Sequence, residues 1–238
     1  MKLDILAISA HPDDVELSCS GTILKHIELG YKVGILDLTA GELGTRGSAE
    51  LRKEEATEAA RVMGLSAREN IGIPDGFFTH SRENLIKIIE VIRHFQPEMI
   101  FANAIDDRHP DHGRAAKLVA DACFLSGLKK IETKREAAAQ DKWRPRFLYH
   151  YIQDRYRKPD FVVDISNYME AKMASIMAYK SQFFNPDSSE PVTPISGKEF
   201  IEFLKGRARE MGRPAGYEFA EGFNVARTPG IQDLFHLD

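Results

Sequence analysis

Short apolar runs alternate with amphipathic stretches through the first half of the chain. Leu3 to Ser9 reads as a buried strand, Thr22 to Leu29 as a helix, and Lys32 to Thr39, with Val33, Ile35, Leu36 and Leu38, as a second buried strand. Glu50 to Met63 has helical spacing, with Leu51, Ala56, Ala59, Ala60 and Met63 on the inner face. Ser48 is placed to cap its start and Gly64 to close it. The alternation continues with a strand at Asn70 to Pro74, a helix at Leu85 to Phe95, a strand at Met99 to Asn103 and a helix at Gly113 to Phe124. Such alternation builds βαβ units. The predicted fold class is therefore α/β, a Rossmann-like and mainly parallel sheet flanked by helices, with its site at the carboxyl ends of the strands.

Past Leu128 the periodicity weakens. Lys129 to Arg146 is charged and Ala-rich, consistent with a helix or a loop bordering the site; Phe147 to Ile152 and Phe161 to Ile165 read as later strands. Tyr168 to Lys180 reads as a helix, Phe183 to Ser196 as a loop, Glu199 to Met211 as an amphipathic helix and Gly212 to Asp238 as an irregular tail. With 238 residues, 43% of them hydrophobic, the chain can bury one sizeable core. A single domain over 1–238 is expected, with 129–146 and 183–196 as loops or insertions.

A net charge of −4 with interspersed acids and bases argues against nucleic acid as a partner. No apolar stretch approaches the ~18 residues of a membrane span, and the opening apolar run is too brief for a secretory signal, so a cytoplasmic location is expected. Cys19 and Cys123 read as core thiols.

Two polar clusters change this picture from fold to chemistry. Ala10-His11-Pro12-Asp13-Asp14 and Asp106-Asp107-Arg108-His109-Pro110-Asp111-His112 each follow a predicted core strand, so both emerge at the same edge of the sheet. Either alone fits an ordinary turn or helix cap. Together they supply two histidines and a carboxylate, His11, Asp14 and His112, the ligand count of a catalytic zinc site with an open position. Fe2+, Mn2+ and Co2+ accept the same donors. Asp13 is then the carboxylate left over to take a proton from the attacking water. His109 can donate a hydrogen bond to the oxyanion or the departing amine. Asp111 suits the far N–H of a ligand histidine, or a helix cap before Gly113. Metal affinity is expected to fall as the histidines protonate, near or below pH 6 for unperturbed imidazoles. The competing reading is a non-catalytic metal- or nucleotide-binding module, weakened by the absence of GxGxxG or a GK[ST] phosphate loop.

The two clusters, the loop Leu38 to Gly47 (LTAGELGTRG) and the helix opening Leu51-Arg52-Lys53-Glu54-Glu55 resemble the PIG-L/LmbE-like zinc deacetylases, and the likeness returns in Tyr179 to Phe183 and Tyr217 to Phe223. The resemblance implies a Rossmann-like fold, zinc held by His11, Asp14 and His112, Asp13 as base, and removal of the acetyl group from an N-acetylglucosamine derivative. It also implies homo-oligomers, often hexamers. Within the family the likeness is nearest to members acting on N-acetylglucosaminyl-malate in bacillithiol biosynthesis, with N-acetylglucosamine or diacetylchitobiose as the alternative substrate. Two substrate carboxylates call for guanidinium partners, and Arg52 and Arg108 are the candidates, with Arg46 divided between substrate and loop structure. The family commonly has Glu directly after its second Asp. Here Val15 intervenes, so Glu16 reads as a first-turn acid favoured by the helix dipole.

Overall fold

The computed structural model describes residues 1–233 and 235. Its first half runs β1 (Ile5–Ser9), α1 (Asp14–Glu28), β2 (Val33–Asp37), α2 (Ala49–Met63), β3 (Ala67–Asn70), α3 (Arg82–Phe95), β4 (Met99–Ala102) and α4 (Pro110–Leu125). There follow a small hairpin of β5 (Lys134–Arg135) and β6 (Ala138–Ala139), then β7 (Phe147–Tyr151), β8 (Phe161–Asp164), α5 (Met169–Met177), α6 (Lys198–Gly212) and β9 (Ala220–Val225). Seven strands form one sheet in the order β3-β2-β1-β4-β7-β9-β8. From β3 to β7 the pairing is parallel, whereas β9 runs antiparallel to both of its neighbours. The mainly parallel α/β fold class predicted above is the one observed.

The strands read as continuous apolar runs because helices cover both faces. Successive side chains point to opposite sides: Leu6, Ile8, Ile100 and Ala102 pack under α3 and α4, whereas Ile5, Ala7 and Phe101 pack against Val15, Cys19 and Ile23 of α1. From β1 the chain order runs outward in one direction through β2 and β3, and in the other through β4 and β7. This reversal opens a crevice beyond the carboxyl ends of β1 and β4, where an open α/β sheet places its ligands. Both polar clusters leave the sheet there.

Four local expectations are corrected. Helix α1 starts at Asp14, not Thr22, with Asp13 in the N-cap position; Val15 and Cys19 face the core, and a break at Cys19 (φ −142°, ψ 17°) disguises the periodicity. The predicted tail from Gly212 contains β9, and only its residues 234 and 236–238 fall outside the described ones. Glu221 and Gly222 interrupt its apolar pattern, yet Glu221 is 4% exposed, and a Cβ at Gly222 would sit 3.0 Å from Met211 Sδ. Residues 129–146 form a hairpin that packs away from the site: Arg135 pairs with Glu69 at 2.7 Å, and Arg93 donates to the carbonyls of Ser126, Leu128 and Ile131. The third strand lies at Ala67–Asn70, a few residues before its predicted place.

Candidate metal centre

The chain leaves β1 at Ser9 and turns into α1 through His11-Pro12-Asp13-Asp14. Asp13 carries the turn with φ 108°, a region that costs a non-glycine residue of order 1–3 kcal/mol and recurs at functional sites. The turn folds Asp14 back on its own loop, where its Oδ2 accepts the His11 backbone N–H at 3.0 Å. Asn103, just past β4, donates to the same oxygen at 2.9 Å, and Gln153, just past β7, donates to Asp14 Oδ1 at 3.1 Å. Three strand ends thereby fix one carboxylate.

Helix α4 brings the second cluster in from the neighbouring strand. His112 Nε2 lies 3.1 Å from Asp14 Oδ1, while its Nδ1 faces Asp107 Oδ2 at 2.5 Å. His11 Nε2 is 3.0 Å from Asp75 Oδ1 and 3.4 Å from Asp111 Oδ2, and its Nδ1 is 3.7 Å from Asp14 Oδ2. Burial alone lowers a histidine pKa. Here hydrogen bonds to Asp111, Asp14 and Asp75 outweigh it and hold His11 well above the ordinary value, and the Asp14 charge with the Asp107 hydrogen bond lifts His112 to about 9. Asp14 is buried too, but the His112 charge and the His11 hydrogen bond keep it well below the usual carboxylate range.

This donor chemistry fits a divalent cation. Both ring nitrogens of His112 face carboxylate oxygens, which requires an imidazolium until a cation replaces one proton. Ligand atoms from His11, His109 and His112 lie within 4.8 Å of one another, as do those from His11, Asp75 and Asp111. His109 accepts the Asp111 N–H at its Nδ1 (3.3 Å), which leaves the proton on Nε2. Burial and the His11 and His112 charges lower its pKa, so it is neutral more readily than its neighbours.

Asp13 is 6% exposed. Burial raises its pKa to about 7 against the Arg52 charge, and repulsion from Asp14 adds to the rise. The Arg52 guanidinium stands 3.6 Å from Asp13 Oδ2 and donates to the Pro12 carbonyl at 3.4 Å. It lies under the Gly41 turn (φ 64°), where a Cβ would come within 2.8 Å of its Nη1. Arg108 is half exposed and paired with Asp154 at 2.5 Å. Arg46 is buried, donating to Ser188 Oγ at 2.6 Å and leaving its Nε without a partner among the described residues. Glu16 stands in the first turn of α1, as predicted, but it is fully buried there, paired with Arg68 at 2.6 Å and accepting the Tyr179 hydroxyl at 3.0 Å.

Asp75 was invisible in the sequence, where Ile73-Pro74-Asp75-Gly76 is simply a turn. The Glu42 side chain accepts its N–H and its Oδ2 accepts the Leu43 N–H, so the loop after β2 holds it against His11. Its pKa falls to about 2, because the His11 hydrogen bond and charge overcome burial.

A histidine-carboxylate cluster at the switch point of a mainly parallel α/β sheet defines a class of proteins in which the strand-end loops supply the chemistry, while the reaction itself is not set by the fold. This chain belongs to the PIG-L family of deacetylases, amide-bond hydrolases: the GlcNAc-PI de-N-acetylase model matches residues 6–123. It is 29% identical to the diacetylchitobiose deacetylase of Thermococcus kodakarensis, over 95% of this chain and 84% of that one. It is 27% identical to the 4-oxalmesaconate hydratase of Pseudomonas putida, over 74% and 73%. A solved structure of a conserved protein from Thermus thermophilus superposes with a TM-score of 0.86 at 35% identity, covering 98% of each chain.

Proposed function

We propose that this protein removes the acetyl group from an N-acetylglucosamine derivative by hydrolysis that depends on a divalent cation, with zinc as the first candidate. The observation that carries the reading is the convergence of His11, Asp14 and His112 from two loops remote in the chain, with Asp13 left beside them and Asn103 reaching Asp14 across 89 positions. Those three are the proposed ligands. Asp107, Asp75 and Asp111 occupy the far ring nitrogens, the place of groups that orient a ligand histidine. A bound cation supplies Lewis acidity at the acyl oxygen. Asp13 takes the proton of the attacking water, and its elevated pKa suits it to hand that proton on to the departing amine. His109 donates its Nε2–H to the oxyanion.

Among substrates, the neutral sugars N-acetylglucosamine and diacetylchitobiose are favoured by the pairing of Arg52 with Asp13 and of Arg108 with Asp154. The N-acetylglucosaminyl-malate reading, and with it a place in bacillithiol biosynthesis, rests on half-exposed Arg108 exchanging partners and on the free Nε of Arg46. A cytoplasmic location fits two buried thiols, Cys19 and Cys123, and no described helix is long and apolar enough to cross a membrane. A homo-oligomer, with a hexamer as the family's recurrent form, is proposed on the family resemblance, and 81%-exposed Phe77 at the rim suits an interface. The test is to measure metal content and acetate release on these three substrates. Acetate from none of them, with metal bound, would overturn the reading.

A further inference from the structure

The cavity at the metal centre, about 500 Å³, is far larger than an acetyl group needs, and its wall changes character along its length. At one end stand His11, Asp13 and His112. The same cavity is also lined by Leu17 of α1, Ile152 past β7, and Phe200, Leu204 and Met211 of α6. Ile152, Leu204 and Met211 are at most 8% exposed, so this arm runs inward among side chains shielded from bulk water. Two of the cations beside it are matched by carboxylates, Lys172 by Glu221 at 2.7 Å and Arg108 by Asp154, while Arg207 donates to the Asp154 backbone carbonyl and packs on the Phe203 ring. Ser18, one turn of α1 beyond Asp14, lines the arm with a buried hydroxyl that has no partner among the described residues.

We propose that this arm receives an uncharged, apolar substituent of the substrate, a short alkyl or aryl chain carried either on the glycosidic oxygen or in the N-acyl group. This rests on the deacetylase reading and narrows its substrate class. An anionic substituent would find Arg207 alone without a carboxylate partner among the described residues, covered by the Phe203 ring, and would be stripped of water against Leu204 and Met211. An alkyl chain instead removes apolar surface from water on both sides, while a polar atom at its root can use the Ser18 hydroxyl.

Two substrate series test it on the metal-loaded protein. One is alkyl N-acetylglucosaminides from methyl to hexyl, and the other is N-acyl glucosamines from acetyl to hexanoyl. The expected result is a rise in kcat/KM of about fourfold per added methylene along one series until the arm is filled, and the series that responds identifies which end of the substrate enters. Phe200→Trp, which narrows the arm from its partly exposed side, is expected to flatten that slope. Acetate release from the methyl glycoside with no gain along either series would overturn the inference and leave the deacetylase reading standing. No carboxylate released from any member would overturn that reading itself.

Discussion

Lys172 and Glu221 form a buried ion pair at 2.7 Å that bridges the break in helix α1. The Lys172 ammonium donates to the carbonyls of Leu17 (2.8 Å) and Glu16 (3.3 Å), just before the break at Cys19. The Glu221 carboxylate accepts the N–H groups of Gly21 (3.0 Å) and Thr22 (2.7 Å) from the other side of the break. One pair therefore caps the end of a short first segment and the start of a second, each with the charge that the helix dipole favours. The first segment carries Asp14, so the pair also sets the direction in which that carboxylate is presented.

Removing one member strands the other. Glu221→Gln leaves a buried ammonium facing a neutral amide, and a loss of about 3–5 kcal/mol in unfolding free energy is expected from denaturant titration. The double variant Lys172→Met/Glu221→Leu is expected to recover part of that loss. Equal stability of Glu221→Gln and the natural protein would show that the pair is not structural.

The alternating half of the fold was readable because strands covered on both faces and helices covered on one leave distinct periods in the sequence. His11, Asp14 and His112 were readable because each lies within a few residues of a strand end or helix start, so local order nearly determines where they emerge. β9 and Asp75 were not, for one shared reason. Glu221 is acceptable in a core strand only because Lys172 arrives from α5, and Asp75 becomes part of the centre only because Glu42 and Leu43 hold it from the loop after β2. Their roles exist in contacts between distant segments, which no window of sequence contains. Glu16 was placed correctly in the first turn of α1, but its partners were not legible, since Arg68 and Tyr179 reach it from β3 and from beyond α5.

Asp75 offers a test of the ligand assignment. It orients His11 from the far ring nitrogen at 3.0 Å, so Asp75→Asn is expected to weaken metal binding by about 10- to 100-fold. At saturating metal most of the activity should return. Metal competition titrations against a chromophoric chelator give the affinity. An unchanged affinity would place His11 outside the ligand set.

Arg52 tunes Asp13 in this scheme. The guanidinium 3.6 Å away opposes the rise that burial causes, and the Asp13 pKa stands at about 7 with both acting. Arg52→Met removes that pull, so the Asp13 pKa rises further and the acidic limb of the kcat/KM profile moves to higher pH. Asp13→Asn, which tolerates the left-handed backbone, should fold normally and lose most of kcat. A limb that stays in place in Arg52→Met would assign Asp13 no role as base.

The metal-free protein should lose stability as pH rises through the neutral range. His112 has a folded pKa of about 9 against an ordinary 6.5, so its contribution is complete below about 6.5 and disappears as pH rises through 9. Asp13 adds a loss of the same sign: its folded pKa of about 7 lies above the usual 3.8, and ionising it in the folded state grows costly between those values. Asp75 acts oppositely, stabilising above 3.8 and failing only as pH falls towards 2. Metal binding reverses the trend at the upper end, because the cation displaces the very protons that His11 and His112 hold tightly. Affinity should therefore keep rising beyond pH 7, not level off just above pH 6 as unperturbed imidazoles would require, and the Tm difference between metal-loaded and metal-free protein should widen from pH 6.5 to 9. Calorimetry across that range, with and without zinc, measures both trends. A constant Tm difference would show that no proton leaves these histidines when metal binds, and the proposed ligand set would fall with it.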